Sequence, residues 1–251
     1  MSDHLLYVKS GAIATVRFNR PEKKNALTSE MYAAACDALE DAARDESVRV
    51  AVFMGGEIFT AGNDIGDFMA AGMASGGNAN DLPVVKFIHA MIAFPKPLLA
   101  AVRGSAIGIG STLLMHCDTV VAGTSARFTM PFTKLGLVPE AASSLLFPLI
   151  VGRARASWHL LSGESFDAEA ALDMGFVTRV VADGEVETMA GAMAATLAEL
   201  PPNSVATTKR LIKAPFADAV DAAFAEELTA FTAALQSDEA RSAFMAFMTK
   251  R

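Results

Sequence analysis

Residues 5–8 and 12–18 alternate apolar and polar positions on either side of Ser10-Gly11, which predicts two half-buried strands joined by a turn. Arg20-Pro21 closes that unit. Thr28 or Ser29 can then cap a helix running to about Arg44, since Met31, Ala35, Leu39 and Ala42 recur at spacings of four, four and three on one face. Val48–Met54 is a short apolar run bounded by Gly55-Gly56 and reads as a buried strand. Leu98–Val102 and Thr119–Val121 repeat that pattern. Strands alternating with helical stretches imply an α/β architecture with crossover connections. From Asp167 onward helices dominate. Val220, Phe224, Leu228, Phe231 and Leu235 form an apolar stripe, and Phe244, Phe247 and Met248 continue it after Ser237. These faces pack either on the parent domain or on a neighbouring subunit. Ala71–Leu82, rich in glycine and small polar residues, reads as a loop, either beside a binding site or a plain surface linker.

Composition narrows the class. At 251 residues, 52% apolar and 20% charged, the chain is too hydrophobic for disorder and long enough for a core without staples. A net charge of −7 leaves no basic surplus for nucleic acid. Cys36 and Cys117 are far apart, so a disulfide framework or thiolate zinc site is not expected, and a reducing cytoplasm fits. The four histidines are scattered singly, with no metal-ligand spacing. The most membrane-like stretch, Leu98–Met115, contains Arg103, whose insertion near a bilayer centre would cost roughly 2.5–3.5 kcal/mol. The expectation is a soluble cytoplasmic protein without membrane contact.

Two glycine-containing segments carry the candidate chemistry. Phe59-Thr60-Ala61-Gly62-Asn63-Asp64-Ile65 follows the strand ending at Met54 and opens a helix. Lys96–Gly110 leads from a strand through Gly104, Gly108 and Gly110 into a helix over 111–116. Each presents free backbone N–H groups where a helix begins, a setting that favours negative charge. Facing each other, such turns would form an oxyanion hole. Gly108-Ile109-Gly110 lacks the third glycine of a dinucleotide fingerprint, and Gly123–Arg127 is not a nucleophile elbow.

In this order and spacing, together with Asn19-Arg20-Pro21, Asn25-Ala26-Leu27, Cys117-Asp118, Ala126-Arg127-Phe128, Gly152-Arg153-Ala154, Leu161-Ser162-Gly163 and Ala168–Val177, the segments resemble the crotonase (enoyl-CoA hydratase/isomerase) superfamily across essentially the whole chain. The resemblance implies a spiral of ββα units over 1–197, with a C-terminal helical region over 198–251 used in trimerisation. It implies an acyl-CoA thioester substrate, no separate cofactor because coenzyme A is part of the substrate, and a homotrimer or dimer of trimers. It places the thioester oxygen between the N–H groups of Asn63 and Ile109, beside Gly62 and Gly108.

The two glutamates with which hydratases activate water fall on Thr112 and Phe132, neither of which can act as a carboxylate base. The remaining carboxylate is Glu140, in a run from Pro131 to Gly152 that is similar to peroxisomal-type 3-enoyl-CoA to 2-enoyl-CoA isomerases. In that branch the matching glutamate is the single base. Read without the resemblance, Glu140 is a first-turn acid complementing a helix dipole. An apolar pocket from Phe132 and Leu135 would raise its pKa and exclude water. Asp64 reads as a helix cap, and Ser143 and Ser144 as capping or packing residues. On an acidic protein the polyanionic CoA needs local cations, for which Lys23 and Lys24 are the candidates, alternatively a solvated cluster. The resemblance implies that Ala26 lies along the pantetheine, that Ala61 and Asp64-Ile65 meet the adenine through backbone groups, and that Lys250 could reach a neighbouring subunit's nucleotide. Other readings are hydration, thioester hydrolysis and non-catalytic acyl-CoA binding.

Overall fold

The computed structural model describes residues 3–74 and 79–249, without the side chains of 71–74 and 247–249. The strands are β1 (Leu5–Ser10), β2 (Ile13–Phe18), β3 (Val50–Met54), β4 (Leu98–Val102), β5 (Ser105–Ile107), β6 (Thr119–Gly123), β7 (Arg127–Thr129), β8 (Phe166–Asp167) and β9 (Arg179–Val181). The helices are α1 (Ser29–Arg44), α2 (Ile65–Ala74), α3 (Pro83–Ala93), α4 (Ile109–Thr112), α5 (Ser143–Val151), α6 (Arg153–Ser162), α7 (Ala168–Asp173), α8 (Val186–Ala198), α9 (Pro202–Lys213), α10 (Ala217–Leu235) and α11 (Asp238–Thr249).

A six-stranded sheet has the order β1-β2-β3-β4-β6-β9, and β5, β7 and β8 form a second sheet. Only the β1–β2 hairpin is antiparallel in the larger sheet. Its central strands β3 and β4 are buried at every position. This follows from helices on both faces. The α8 residues Val186, Ala190 and Ala194 pack on Val50, Val52 and Leu99, while the opposite strand residues, among them Ala51, Phe53 and Leu98, join α1 and α3 in the main core. Thr28 caps α1 through Met31 N–H, as its sequence predicts.

The stripe on α10 packs on its own chain, with Val220 and Phe224 in the main core, joined there by Phe244 of α11. Of the loop expected over 71–82, residues 71–74 complete α2 and Ala79–Asp81 form a 3₁₀ turn, while 75–78 lie outside the described residues. Lys250 and the side chains of Phe247 and Met248 lie outside them as well. Among the described residues, no helix is long and apolar enough to cross a membrane.

Candidate active site

Asn25 organises the first turn. It is buried, and its φ of +55° lies in the left-handed region that asparagine tolerates better than most residues. Its Nδ2 donates to the carbonyls of Gly55 at 2.6 Å and Ile58 at 2.7 Å, and its Oδ1 accepts from Arg20 N–H at 2.7 Å. Thr60 Oγ1 donates to its carbonyl at 2.6 Å. This stitching aligns residues 24–27 with 61–64: Ala61 N–H donates to Lys24, Leu27 N–H to Gly62, and Asp64 N–H to Leu27. Because those bonds use the groups on either side of Asn63, the Asn63 N–H points the other way. Asn25→Ala should lower the unfolding free energy by about 3 kcal/mol, from unpaired buried groups and a left-handed alanine, read by urea denaturation at constant m.

The second turn lies against the first. Thr60 and Ala106 form a parallel bridge, with Thr60 N–H donating to Ser105 and Ile107 N–H to Thr60. A Cβ on Gly62 would stand 2.6 Å from the Ile107 carbonyl oxygen. Gly108, at φ +57°, reverses the chain, and its carbonyl accepts the N–H groups of Ser111 and Thr112 to start α4. Ile109 N–H precedes that helix. Among the described residues, neither Asn63 N–H nor Ile109 N–H donates to a protein acceptor. Two open donors on adjoining turns have the character of an oxyanion hole. The Tyr32 hydroxyl donates to Asn63 Oδ1 and fixes that side chain.

Beside these turns lies a cavity of about 450 Å³ lined by Asn63 and by apolar residues such as Phe68, Val85, Ile88, Phe224, Leu228 and Phe231. Glu140 is the sole carboxylate among its described lining residues. Burial pushes its pKa up to about 8, the charge of Glu227 adds to the rise, and a hydrogen bond from the Thr112 hydroxyl opposes it. Such a group holds a proton at neutral pH and releases it slightly above, as an acid/base that both takes and returns a proton requires. Thr112→Val removes the opposing bond, so Glu140 should hold its proton to higher pH. A pH profile of any reaction that needs the carboxylate should shift upward.

The family model described as Enoyl-CoA hydratase/isomerase matches residues 8–251. The chain belongs to the enoyl-CoA hydratase/isomerase family. It is 39% identical over 253 residues to rat "Enoyl-CoA delta isomerase 2", covering all of this chain and 64% of the rat protein. The chain thus spans less than two thirds of that relative. It is 34% identical to the Escherichia coli "1,2-epoxyphenylacetyl-CoA isomerase", covering 98% of this chain and 95% of that one. A solved enoyl-CoA hydratase/isomerase from Pseudoalteromonas atlantica superposes with a TM-score of 0.93 at 41% identity, covering 99% and 98% of the two chains. The two sheets and long C-terminal helices are those of the crotonase fold.

In this member of the enoyl-CoA hydratase/isomerase family, the structure brings Asn63, Gly62, Ile109 and Gly108 to adjoining turns, and Asn63 and Glu140 to one cavity. Lys23 and Lys24 are exposed on the turn whose carbonyl at Lys24 meets Ala61 N–H, with Ala26 following. Asp64 is a cap, as its sequence suggests. Its Oδ1 accepts Asp67 N–H at the start of α2, while the Arg20 guanidinium at 2.8 Å pulls its carboxyl below its ordinary pKa. Ile65 opens α2.

Phe132 and Leu135 are not among the residues that line this cavity; Phe132 sits in the main core and Leu135 packs against it. The same turn is tied to the end of α6 by Thr133 and Lys134, which donate to the Leu161 and Gly163 carbonyls, and it meets α11 at Gly136, where a Cβ would stand 2.7 Å from Ala240 N. The apolar wall comes from α2, α3, α10 and α11. Sequence reading also missed Tyr32, the hydroxyl role of Thr112, and Glu227 on α10. Glu227 left one signal: an acid three residues after Phe224 and four before Phe231 lies on the apolar stripe.

Proposed function

We propose that this enzyme moves the double bond of a 3-enoyl-CoA thioester to the 2-position, with Glu140 as the single proton carrier. The observation that carries the reading is a lone carboxylate, with a raised pKa, in an apolar cavity beside two open backbone donors. The ionised Glu140 removes a proton from C2. The C–H electron pair moves into the conjugated system and onto the thioester oxygen, giving a dienolate. The N–H groups of Asn63 and Ile109 hold that oxygen, each donor contributing about 3 kcal/mol to the transition state. The protonated Glu140 then delivers the proton to C4, and the electrons return to leave a C2–C3 double bond. No water is consumed, which suits an apolar chamber.

Lys23 and Lys24 would meet the CoA phosphates, and Ala26, Ala61 and Ile65 would lie along the pantetheine and adenine. Exposed Leu149, Trp158 and Leu161 on α5 and α6 fit the homotrimer that the family resemblance implies. Thr112 bears on the alternative. It occupies the first hydratase glutamate position and offers Glu140 a hydroxyl rather than a second carboxylate.

The test supplies purified protein with 3-enoyl-CoA, 2-enoyl-CoA and saturated acyl-CoA separately. Conversion of the first, without hydration of the second or hydrolysis of the third, is expected. Hydration or hydrolysis without double-bond migration would sink the proposal. The rate should rise with pH and level off above about 8, because the base must be ionised.

A further inference from the structure

The turn after Glu140 adopts a conformation its residues do not favour. Ala141 and Ala142 have φ of +59° and +56°, in the left-handed region that alanine occupies only under restraint. Three neighbours supply the restraint. Thr112 binds the Glu140 carboxylate. His116, buried and with its pKa pushed down to about 4 by desolvation, is neutral at pH 7, and its Nε2 lies 2.8 Å from the Ala141 carbonyl. Glu227 accepts from Ala142 N–H at 2.6 Å and from Ser144 N–H at 2.7 Å, one carboxylate oxygen for each.

Glu227 is the unexpected member. It is buried on α10, flanked along that helix by the cavity-lining residues Phe224, Leu228 and Phe231. Burying a carboxylate is costly unless its oxygens are satisfied. An apolar residue there would dock α10 as well, so helix packing alone gives no reason for the acid. Its two bonds do give one, since they cap the start of α5 and hold Ala142 in its left-handed state two residues from Glu140. We infer that Glu227 is a positioning residue: it clamps the 140–144 turn so that the Glu140 carboxylate faces the cavity, and it fastens that turn to the helix forming the acyl wall. The inference rests on Glu140 being the proton carrier.

The test compares steady-state turnover of 3-enoyl-CoA by the full-length wild type, Glu227→Gln and Glu227→Asp, with folding checked by circular dichroism. Gln keeps one acceptor of two, and Asp keeps the charge but draws its oxygens back by one methylene. Both should lose about 10- to 100-fold in kcat with KM nearly unchanged, the signature of a misplaced catalytic group. Adding Ala142→Gly to Glu227→Gln should restore most of the loss, because glycine holds the turn's conformation without a clamp. Adding Glu227→Gln to Glu140→Gln should cost nothing further. A folded Glu227→Gln or Glu227→Asp with wild-type kcat, a loss confined to KM, or a kcat loss that Ala142→Gly does not restore would overturn the inference. Full turnover by Glu140→Gln alone would instead overturn the reading of Glu140 as the base. An inactive Glu140→Gln beside a fully active Glu227→Gln would remove the clamp and leave that reading standing.

Discussion

Replacing Glu140 with glutamine is expected to lower turnover of a 3-enoyl-CoA by about 100- to 10,000-fold, the range a positioned carboxylate contributes to proton transfer. Acyl-CoA affinity should change little, because glutamine preserves shape and the turns carrying the Asn63 and Ile109 N–H groups are untouched. Single-turnover assays beside equilibrium binding of a saturated acyl-CoA separate the two effects. The same variant carries a stability signature. Burial raises the Glu140 pKa from 4.5 to about 8 in the folded protein. Between those values the folded chain holds a proton that the unfolded chain releases. The stability contributed by the protonated form is therefore complete below about pH 4.5 and is lost as pH rises through about 8. Glutamine does not titrate, so the variant should gain on the wild type across that window. Urea unfolding of both proteins at pH 5 and pH 9 reads the difference, and a variant-minus-wild-type stability that falls from pH 5 to pH 9 contradicts the burial argument.

Gly62→Ala should damage fold and chemistry together. Gly62 has φ of +86°, and an added Cβ would stand 2.6 Å from the Ile107 carbonyl oxygen, so the adjoining turns must part. Backbone strain of this kind costs roughly 1–3 kcal/mol before the steric clash is added. Parting the turns displaces Asn63 N–H from Ile109 N–H. Losing one such donor is worth about 100- to 1,000-fold in kcat. Gly11→Ala is the control. Gly11 has φ of +56° and no atom near its would-be Cβ, in the β1–β2 turn. It should lower Tm modestly and leave kcat/KM unchanged. Equal activity in the two variants would mean that the contact between the turns does not set the donor geometry.

What could be read from the sequence follows from how local each determinant is. The α1 helix is legible because Thr28 and the Met31–Ala42 spacing are local, and β4 because five apolar residues in a row have one use in an α/β sheet. The strands β5 and β8 are too short for periodicity to show, and their pairing with β7 joins distant parts of the chain. The glycine turns were legible because Gly62 and Gly108 need conformations other residues avoid. The apolar wall of the cavity was not. Phe132 and Leu135 are as apolar as Phe224 and Phe231, and only tertiary packing puts the first pair in and against the main core away from the cavity lining and the second along that lining. Glu140 could equally have been a helix-capping acid on sequence alone. In the structure that capping is done by Glu227, far along the chain, which frees the Glu140 side chain to meet Thr112.

The claim that one carboxylate makes both proton transfers is open to a direct measurement. A 3-enoyl-CoA deuterated at C2 is turned over once by excess enzyme in ordinary water, and the product is examined for label at C4. An enclosed single carrier predicts that part of the deuterium taken from C2 reappears at C4. Product whose C4 hydrogen comes wholly from solvent, at every pH where the enzyme works, would contradict an enclosed single carrier at Glu140.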